Sequence, residues 1–236
     1  MPVALVTGTS RGLGLEFVRQ YAAAGWEVLA CCREPREAIG LQELSSGRNA
    51  VSVHALDITD HSAIDELAAR TAGRNIDLLI NNAGIMGALP FPENLYRQHF
   101  GTIDYGLWSE VFRTNTLGSI KMTESFLRHV AASEQKKIVT ISSTTGSITE
   151  SRREALAYTT SKTALNKAMT VIAERVRPEG VIIALLCPGY VKTRMNVGGA
   201  TVDIAESVTG MRSIIDGLTL ADSGTFRRYN GENIAW

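Results

Sequence analysis

Tyr158 and Lys162 stand four residues apart in the stretch Ala157–Ala168, whose pattern predicts a helix. At 3.6 residues per turn they share one face, one turn apart. An ammonium beneath a phenol stabilises the phenolate and lowers the tyrosine pKa. Bringing a tyrosine from about 10 to about 7 takes roughly 4 kcal/mol of differential stabilisation. One ammonium in a dry site, helped by a second positive charge, is of the right size to supply it. The spacing therefore points to an acid/base tyrosine, although any amphipathic helix can place such a pair by accident. The elements in front of it decide between the two.

The first of these is Gly8-Thr-Ser10-Arg11-Gly12-Leu13-Gly14. It follows Pro2–Thr7, a short apolar run suited to a central strand buried on both faces. It precedes apolar positions at helical spacing: Leu15, Val18, Tyr21 and Ala22. Strand, glycine turn and helix start together predict nucleotide binding. Gly8 permits the tight turn, Gly12 lets backbone approach a diphosphate at the positive helix end, and Gly14 allows close helix–strand contact. The spacing differs from the G-x-G-x-x-G form. The second strand, Glu27–Cys31, leads into Cys32, Arg33 and Glu34. An NAD site usually has an acid at that strand end. Arg33, with Arg11, can instead hold a 2′-phosphate through charge-assisted hydrogen bonds, which predicts NADP(H). The alternative is NAD(H) through Glu34, about twenty residues past the glycines.

Further elements alternate. A helix is predicted over Pro35–Ser46, a third strand over Val51–Ala55, a fourth over Asp77–Asn81 and a fifth over Lys137–Ser142. A sixth strand is predicted over Val181–Leu186, a helix over Ile204–Gly217 and a short last strand within Thr225–Asn233. A long helix is expected over Leu107–Ala131, after a Gly/Pro-rich connection Ile85–Tyr105 that is long enough for a lid or interface element. Asp57-Ile58 could pair with an adenine amine and lie on its face, or Thr59 or Asp60 could cap the next helix. Asn81-Asn82-Ala83-Gly84 suits close approach of a cofactor or merely a turn. Asn115, in an otherwise apolar stretch, needs partners as a structural clamp or a site residue. Ser142 and Ser143 fall at a strand's carboxyl end, where ligands bind in an open α/β sheet. The pattern predicts a single Rossmann-type α/β domain over 1–236: a doubly wound parallel sheet of about seven strands with helices on both faces. A dinucleotide-binding half spans about 1–135, and catalytic and substrate-binding elements span about 136–236.

Composition narrows the function classes. The 236 residues carry no net charge, with 44% hydrophobic and 20% charged residues, and no Lys/Arg block marks a nucleic-acid partner. Cys31, Cys32 and Cys187 form no C-x-x-C pattern, and His54, His61, His99 and His129 lack ligand spacing, so neither a disulfide framework nor a metal site is expected. No run approaches the ~18 apolar residues of a membrane span. A strand pattern from Val3 leaves no room for a signal peptide, so a cytoplasmic location is expected.

The chain resembles the classical short-chain dehydrogenase/reductase family over essentially its whole length. The matching motifs are Thr7-Gly8-x-x-x-Gly12-x-Gly14, Asn81-Asn82-Ala83-Gly84, Asn115, Ser143, Tyr158-x-x-x-Lys162 and Pro188-Gly189-x-x-x-Thr193. Phe100-Gly101, Asp104, Trp108, Gly231 and Trp236 are similar to the C-factor and sniffer-type reductase branch. The resemblance implies a catalytic tetrad. Tyr158 exchanges a proton with the substrate oxygen, Lys162 lowers its pKa and holds the nicotinamide ribose, Ser143 bonds the substrate oxygen, and Asn115 holds a water linking Lys162 to solvent. It also implies that Pro188, Gly189, Val191 and Thr193 position the nicotinamide, that Asn82, Ala83 and Gly84 line the ribose side, and that Asp57 with Ile58 holds adenine. Ser143 is preferred to Ser142 on alignment of the strand end.

The expected activity is an NADP(H)-dependent oxidoreductase acting on a carbonyl or alcohol. Apolar Met86, Ile148, Leu156, Tyr190 and Met195, with Thr144, predict a pocket for a small-to-medium aldehyde or ketone, and Arg152-Arg153 form a variable wall. The alternative is an NADP(H)-binding regulatory or signalling protein on the same fold. The family's dimer surfaces correspond to Leu107–Ala131 and Leu156–Val176, where Gly118, Thr163 and Ala164 would allow close approach; a homodimer or homotetramer is expected.

Overall fold

A computed structural model describes residues 1–47, 50–151, 155–195 and 199–236. Seven strands form one parallel sheet: β1 Val3–Thr7, β2 Glu27–Cys32, β3 Val51–Ala55, β4 Leu78–Asn81, β5 Lys137–Ile141, β6 Ile182–Cys187 and β7 Phe226–Arg228. Their order across the sheet is β3-β2-β1-β4-β5-β6-β7. The helices are α1 Gly12–Ala23, α2 Ile39–Ser46, α3 His61–Arg70, α4 Phe91–Asn94, α5 Tyr105–Phe112, α6 Ser119–Ala131, α7 Leu156–Val176 and α8 Ile204–Gly217. This is the expected Rossmann-type architecture.

Period-two alternation splits each central strand between two cores. Leu5, Leu29, Leu79, Ile138 and Ile183 meet α3, α6 and α7 through Ile64, Phe126 and Met169. Val6, Val28, Ile80, Val139 and Ala184 meet α1, α2 and α8 through Phe17, Leu41 and Met211. Burial on both faces is why these strands read as unbroken apolar runs. Cys31 and Cys32 fall on opposite faces, one in each core.

The chain reverses its winding between β1 and β4, which are neighbours in register at Leu5↔Leu79. In open α/β sheets the region outside the carboxyl ends of such a strand pair is the usual ligand position. The glycine turn follows β1, and Asn82 follows β4. No helix among the described residues is long and apolar enough to cross a membrane.

Three expected elements differ. Pro35–Glu37 is a separate 3-10 turn before α2, because Pro35 fixes the opening φ and the chain resets at Ala38. The connection 85–105 contains α4 and a 3-10 turn, Leu95–Gln98. The expected helix Leu107–Ala131 starts at Tyr105, capped by Asp104, and is interrupted by a π-helical segment at Arg113–Gly118. Gly118 does not serve an outer surface: it is buried, and a Cβ there would stand 2.7 Å from the Ile58 carbonyl.

Candidate active site

The π-helical segment places Asn115 in the interior. Its Nδ2 donates to the Ile85 carbonyl at 2.8 Å and to Ser161 Oγ at 3.0 Å, while Oδ1 accepts the Ile85 N–H at 2.8 Å. Thr116 Oγ1 donates to the Ser161 carbonyl at 2.9 Å. These bonds tie the segment between α5 and α6 to α7 and to the start of the 85–105 connection. Both amide hydrogens of Asn115 are engaged by protein. The side chain is thus a clamp rather than an open water donor.

On α7, Tyr158 and Lys162 stack as their spacing predicts, with Nζ 5.9 Å from the centre of the phenol ring. Lys162 is buried and donates to the Ile141 carbonyl at 2.9 Å. Burial pulls its ammonium down to about 8, with Cys187 acting in the opposite sense. The two serines after β5 separate by partner. Ser142 is buried and donates to Asn166 Oδ1 at 2.5 Å. Ser143 Oγ accepts from Thr145 N–H at 3.2 Å and from Thr145 Oγ1 at 3.0 Å. With two acceptor positions occupied, its own proton is available to a ligand.

A cavity of about 90 Å³ is bordered by Tyr158 and the two serines. Its described lining includes Ser143, Thr145 and Tyr158, with apolar Leu13, Met86, Val191 and Met195; Pro188, Gly189, Tyr190 and Thr193 complete the rim beside Ser142. Of the expected pocket residues, Met86, Tyr190 and Met195 are there. Thr144 is turned away, because its Oγ1 meets Cys187 Sγ at 3.2 Å and accepts from Arg228 at 2.9 Å; Thr145 lines the cavity instead. Leu156 precedes Tyr158 by two positions, about 200° around the helix. Ile148 lies past the turn after β5 and is 68% exposed. The expected wall Arg152-Arg153 lies outside the described residues.

The residues expected to hold a dinucleotide fit that role. Arg11 precedes α1 in extended conformation, and no side chain caps the opening amides of the helix. Those N–H groups and the positive helix end are free to face a diphosphate. At Gly12 a Cβ would find nothing nearer than Thr193 Cγ2 at 3.9 Å, so the backbone there borders open space. Gly8 (φ +70) and Gly14 hold the turn closed: a Cβ on Gly14 would fall 2.2 Å from the Gly8 carbonyl. Asn82 Nδ2 donates to the Thr7 and Gly8 carbonyls at 2.9 and 3.2 Å, so this carboxamide braces the turn. Ser10 is half-buried beside it. Arg33 and Arg11 are exposed and form no ion pair among the described residues. Asp57 Oδ1 accepts from Thr59 N–H and Oγ1, both at 2.8 Å, and shapes the turn beside buried Ile58. Asp60 is the α3 cap, accepting from Ala63.

The family model described as short chain dehydrogenase matches residues 2–200. The chain belongs to the short-chain dehydrogenase family. It is 35% identical over 162 residues to the C-signal of Myxococcus xanthus, covering 68% of this chain and 93% of that one. It superposes on NADPH-bound carbonyl reductase from chicken fatty liver with a TM-score of 0.90 and 33% identity, each chain covered in full. Carbonyl reductase Sniffer of Drosophila melanogaster gives 0.88 and 27%, again with full coverage of both. The C-signal and Sniffer matches fit the C-factor and sniffer branch.

In this short-chain dehydrogenase the sequence left several contributors unmarked. Thr145 fixes Ser143. Tyr229, after β7, buttresses Gly189, whose Cβ would stand 2.9 Å from the Tyr229 ring. Arg228 joins Thr144 to Glu150. Gln98 reaches the Tyr158 backbone from the 85–105 connection. Thr145 could have been found by its place two residues after Ser143. Nothing in the spacing around the other three marks them as site residues, and only the fold brings them to the site.

Proposed function

We propose that the protein is an NADP(H)-dependent carbonyl reductase or alcohol dehydrogenase acting on a small-to-medium apolar aldehyde or ketone. The observation that carries this is one cavity bordered by Ser143, Tyr158 and apolar side chains, with Lys162 buried beneath the phenol and the uncapped head of α1 at the same sheet edge. Bound dinucleotide supplies the hydride, or accepts it in alcohol oxidation. Gly8, Gly12, Gly14, Ser10 and Leu13 form its diphosphate cradle, Arg11 and Arg33 take the 2′-phosphate, and Pro188, Gly189, Val191 and Thr193 border the nicotinamide. Ala83 and Gly84 flank the ribose, and Asp57 with Ile58 flanks adenine. The NADPH bound by the chicken relative supports the choice of cofactor.

In the reducing direction Ser143 donates its hydroxyl hydrogen to the substrate oxygen and orients the carbonyl. Tyr158 gives its phenolic proton to that oxygen as negative charge develops there. Lys162 stabilises the phenolate left behind, and the Ile141 carbonyl holds Nζ in place. Asn115 keeps α7 and the 85–105 connection in register around them. The aliphatic lining excludes water and favours neutral carbonyls over acids. We assign the protein to the cytoplasm, consistent with free, buried Cys31, Cys32 and Cys187. We assign it a homodimeric state through the α5–α6 and α7 faces, where Leu117 and Val171 are exposed.

The test is NADPH consumption against a panel of aldehydes and ketones, with NADH and Tyr158→Phe as controls. Turnover with NADPH is expected. Tyr158→Phe should lower it by about a thousandfold or more while NADPH still binds. Turnover retained by Tyr158→Phe, or a preference for charged acids, would overturn the assignment. Similarity to the C-signal favours a second reading, a nucleotide-binding signalling protein. NADPH binding without turnover across the panel would select it.

A further inference from the structure

At the start of the helix that carries Tyr158, the capping position supplies no side-chain acceptor. Ala155 occupies it, is fully buried and has no side-chain oxygen for the opening amides of the first turn. The acceptor comes from 60 positions away: Gln98 Oε1 takes the Tyr158 N–H at 3.0 Å. The other end of the same carboxamide, Nε2, donates to the Met86 carbonyl at 2.8 Å. Gln98 is only 1% exposed, so both bonds lie in the interior, where leaving either partner unpaired is costly. The neighbour of Met86 is shaped to admit this side chain. Gly87 has φ +149, and a Cβ there would stand 2.4 Å from Gln98 Nε2. Met86 itself lines the cavity and packs with Phe91, Ala155 and Tyr158. One buried side chain therefore joins the apolar wall of the pocket to the turn that bears the phenol.

We propose that Gln98 is a positioning residue: by bridging the Met86 carbonyl and the Tyr158 amide, it fixes the spacing between the pocket wall and the phenol. The inference rests on the acid/base reading of Tyr158 and adds to it a determinant of rate and of substrate breadth. Displacing a reacting group by about 1 Å can lower a rate about a hundredfold. Loss of the Tyr158 end therefore appears in kcat, and loss of the Met86 end appears in how KM depends on substrate size.

Two variants separate the ends. Gln98→Met keeps the volume and removes both bonds. Gln98→Glu keeps an acceptor for the Tyr158 amide but turns a second oxygen toward the Met86 carbonyl. The measurements are NMR hydrogen exchange at the Tyr158 amide of the ligand-free protein, NADPH affinity, and kinetics with propanal and a bulkier cyclic ketone. In Gln98→Met, amide exchange is expected to accelerate by about tenfold or more and kcat to fall by about tenfold, with NADPH affinity unchanged. In Gln98→Glu the amide stays protected and kcat falls less, while the ratio of the two KM values shifts by about threefold or more. Wild-type exchange, kcat and KM ratio in both variants would overturn the proposal. So would an equal loss of every property, NADPH affinity included, which is what a merely structural residue gives. If Gln98→Met fails to fold, Gln98→Glu decides together with Gly87→Ala, whose Cβ displaces the carboxamide and should reproduce the fall in kcat; wild-type behaviour in both would overturn it. Absence of NADPH-linked turnover in the wild-type protein would instead remove the function proposed above, and the amide-exchange comparison would still test the bridge.

Discussion

At the scale of single residues, Lys162 shows most directly that the site is built against stability. Its ammonium, ordinarily near 10.5, is pulled down to about 8 by burial. Between about 8 and 10.5 the folded state therefore holds fewer protons than the unfolded chain, and stability rises with pH across that window. Below about 8 the full penalty of a buried ammonium is present, about 3 kcal/mol. The bond from Nζ to the Ile141 carbonyl offsets about 1 kcal/mol of it. Lys162→Met should then stabilise the ligand-free protein by about 2 kcal/mol at pH 7 while abolishing turnover. Urea melts at pH 7 and pH 9 check this, since the gain should shrink at the higher pH; a variant less stable than wild type at pH 7 would refute it. Arg33 makes a second claim at this scale. Arg33→Glu should raise KM for NADPH by about tenfold to a hundredfold and leave NADH little changed, because it replaces a phosphate partner with a like charge. Parallel kinetics with the two nucleotides decide it.

At the scale of elements, the segment Arg113–Gly118 is the part of the molecule that helix periodicity alone misread. Apolar spacing ran on through Val111, Leu117 and Met122, so the sequence predicted one helix. Asn115 was the visible exception. What the sequence did not show is that a locally widened helix turns the Asn115 and Thr116 side chains inward to meet Ile85 and Ser161. π-segments of this kind recur at functional sites. Asn115→Ala should leave the Ile85 N–H and carbonyl unpaired and cost about 3 kcal/mol, measured by chemical denaturation. Turnover should fall with it, as α7 and the 85–105 connection lose their common clamp. A change below about 1 kcal/mol would show that the clamp carries no energy. By contrast, the glycine turn and its helix were fully legible. Their constraints are local: a turn at Gly8, a close contact at Gly14, an uncapped helix start.

At the scale of the whole molecule, the proposed homodimer makes a prediction of mass. Light scattering should give twice the 25.5 kDa chain, and Val171→Glu, placing a charge on the exposed face of α7, should return a monomer. A wild-type monomer would sink the dimer without touching the catalytic reading. The sequence by itself determined the parallel α/β fold, because strands buried on both faces must be continuously apolar and helices between them must be amphipathic. It also showed the glycine turn and the Tyr158–Lys162 spacing, because these depend on one loop and one helix turn; Ser143 entered the proposed catalytic set through the family resemblance. Tertiary structure alone separated the neighbouring hydroxyls by partner. Ser142 is drawn to Asn166 and Thr144 to Cys187, while Ser143 and Thr145 remain on the open side. It alone turned Asn82 into a brace for the turn and brought Gln98 to the head of α7. The physical reason is the same in each case. A polar side chain takes the partner that folding places within about 3 Å, and partners from distant segments leave no periodic trace in the chain.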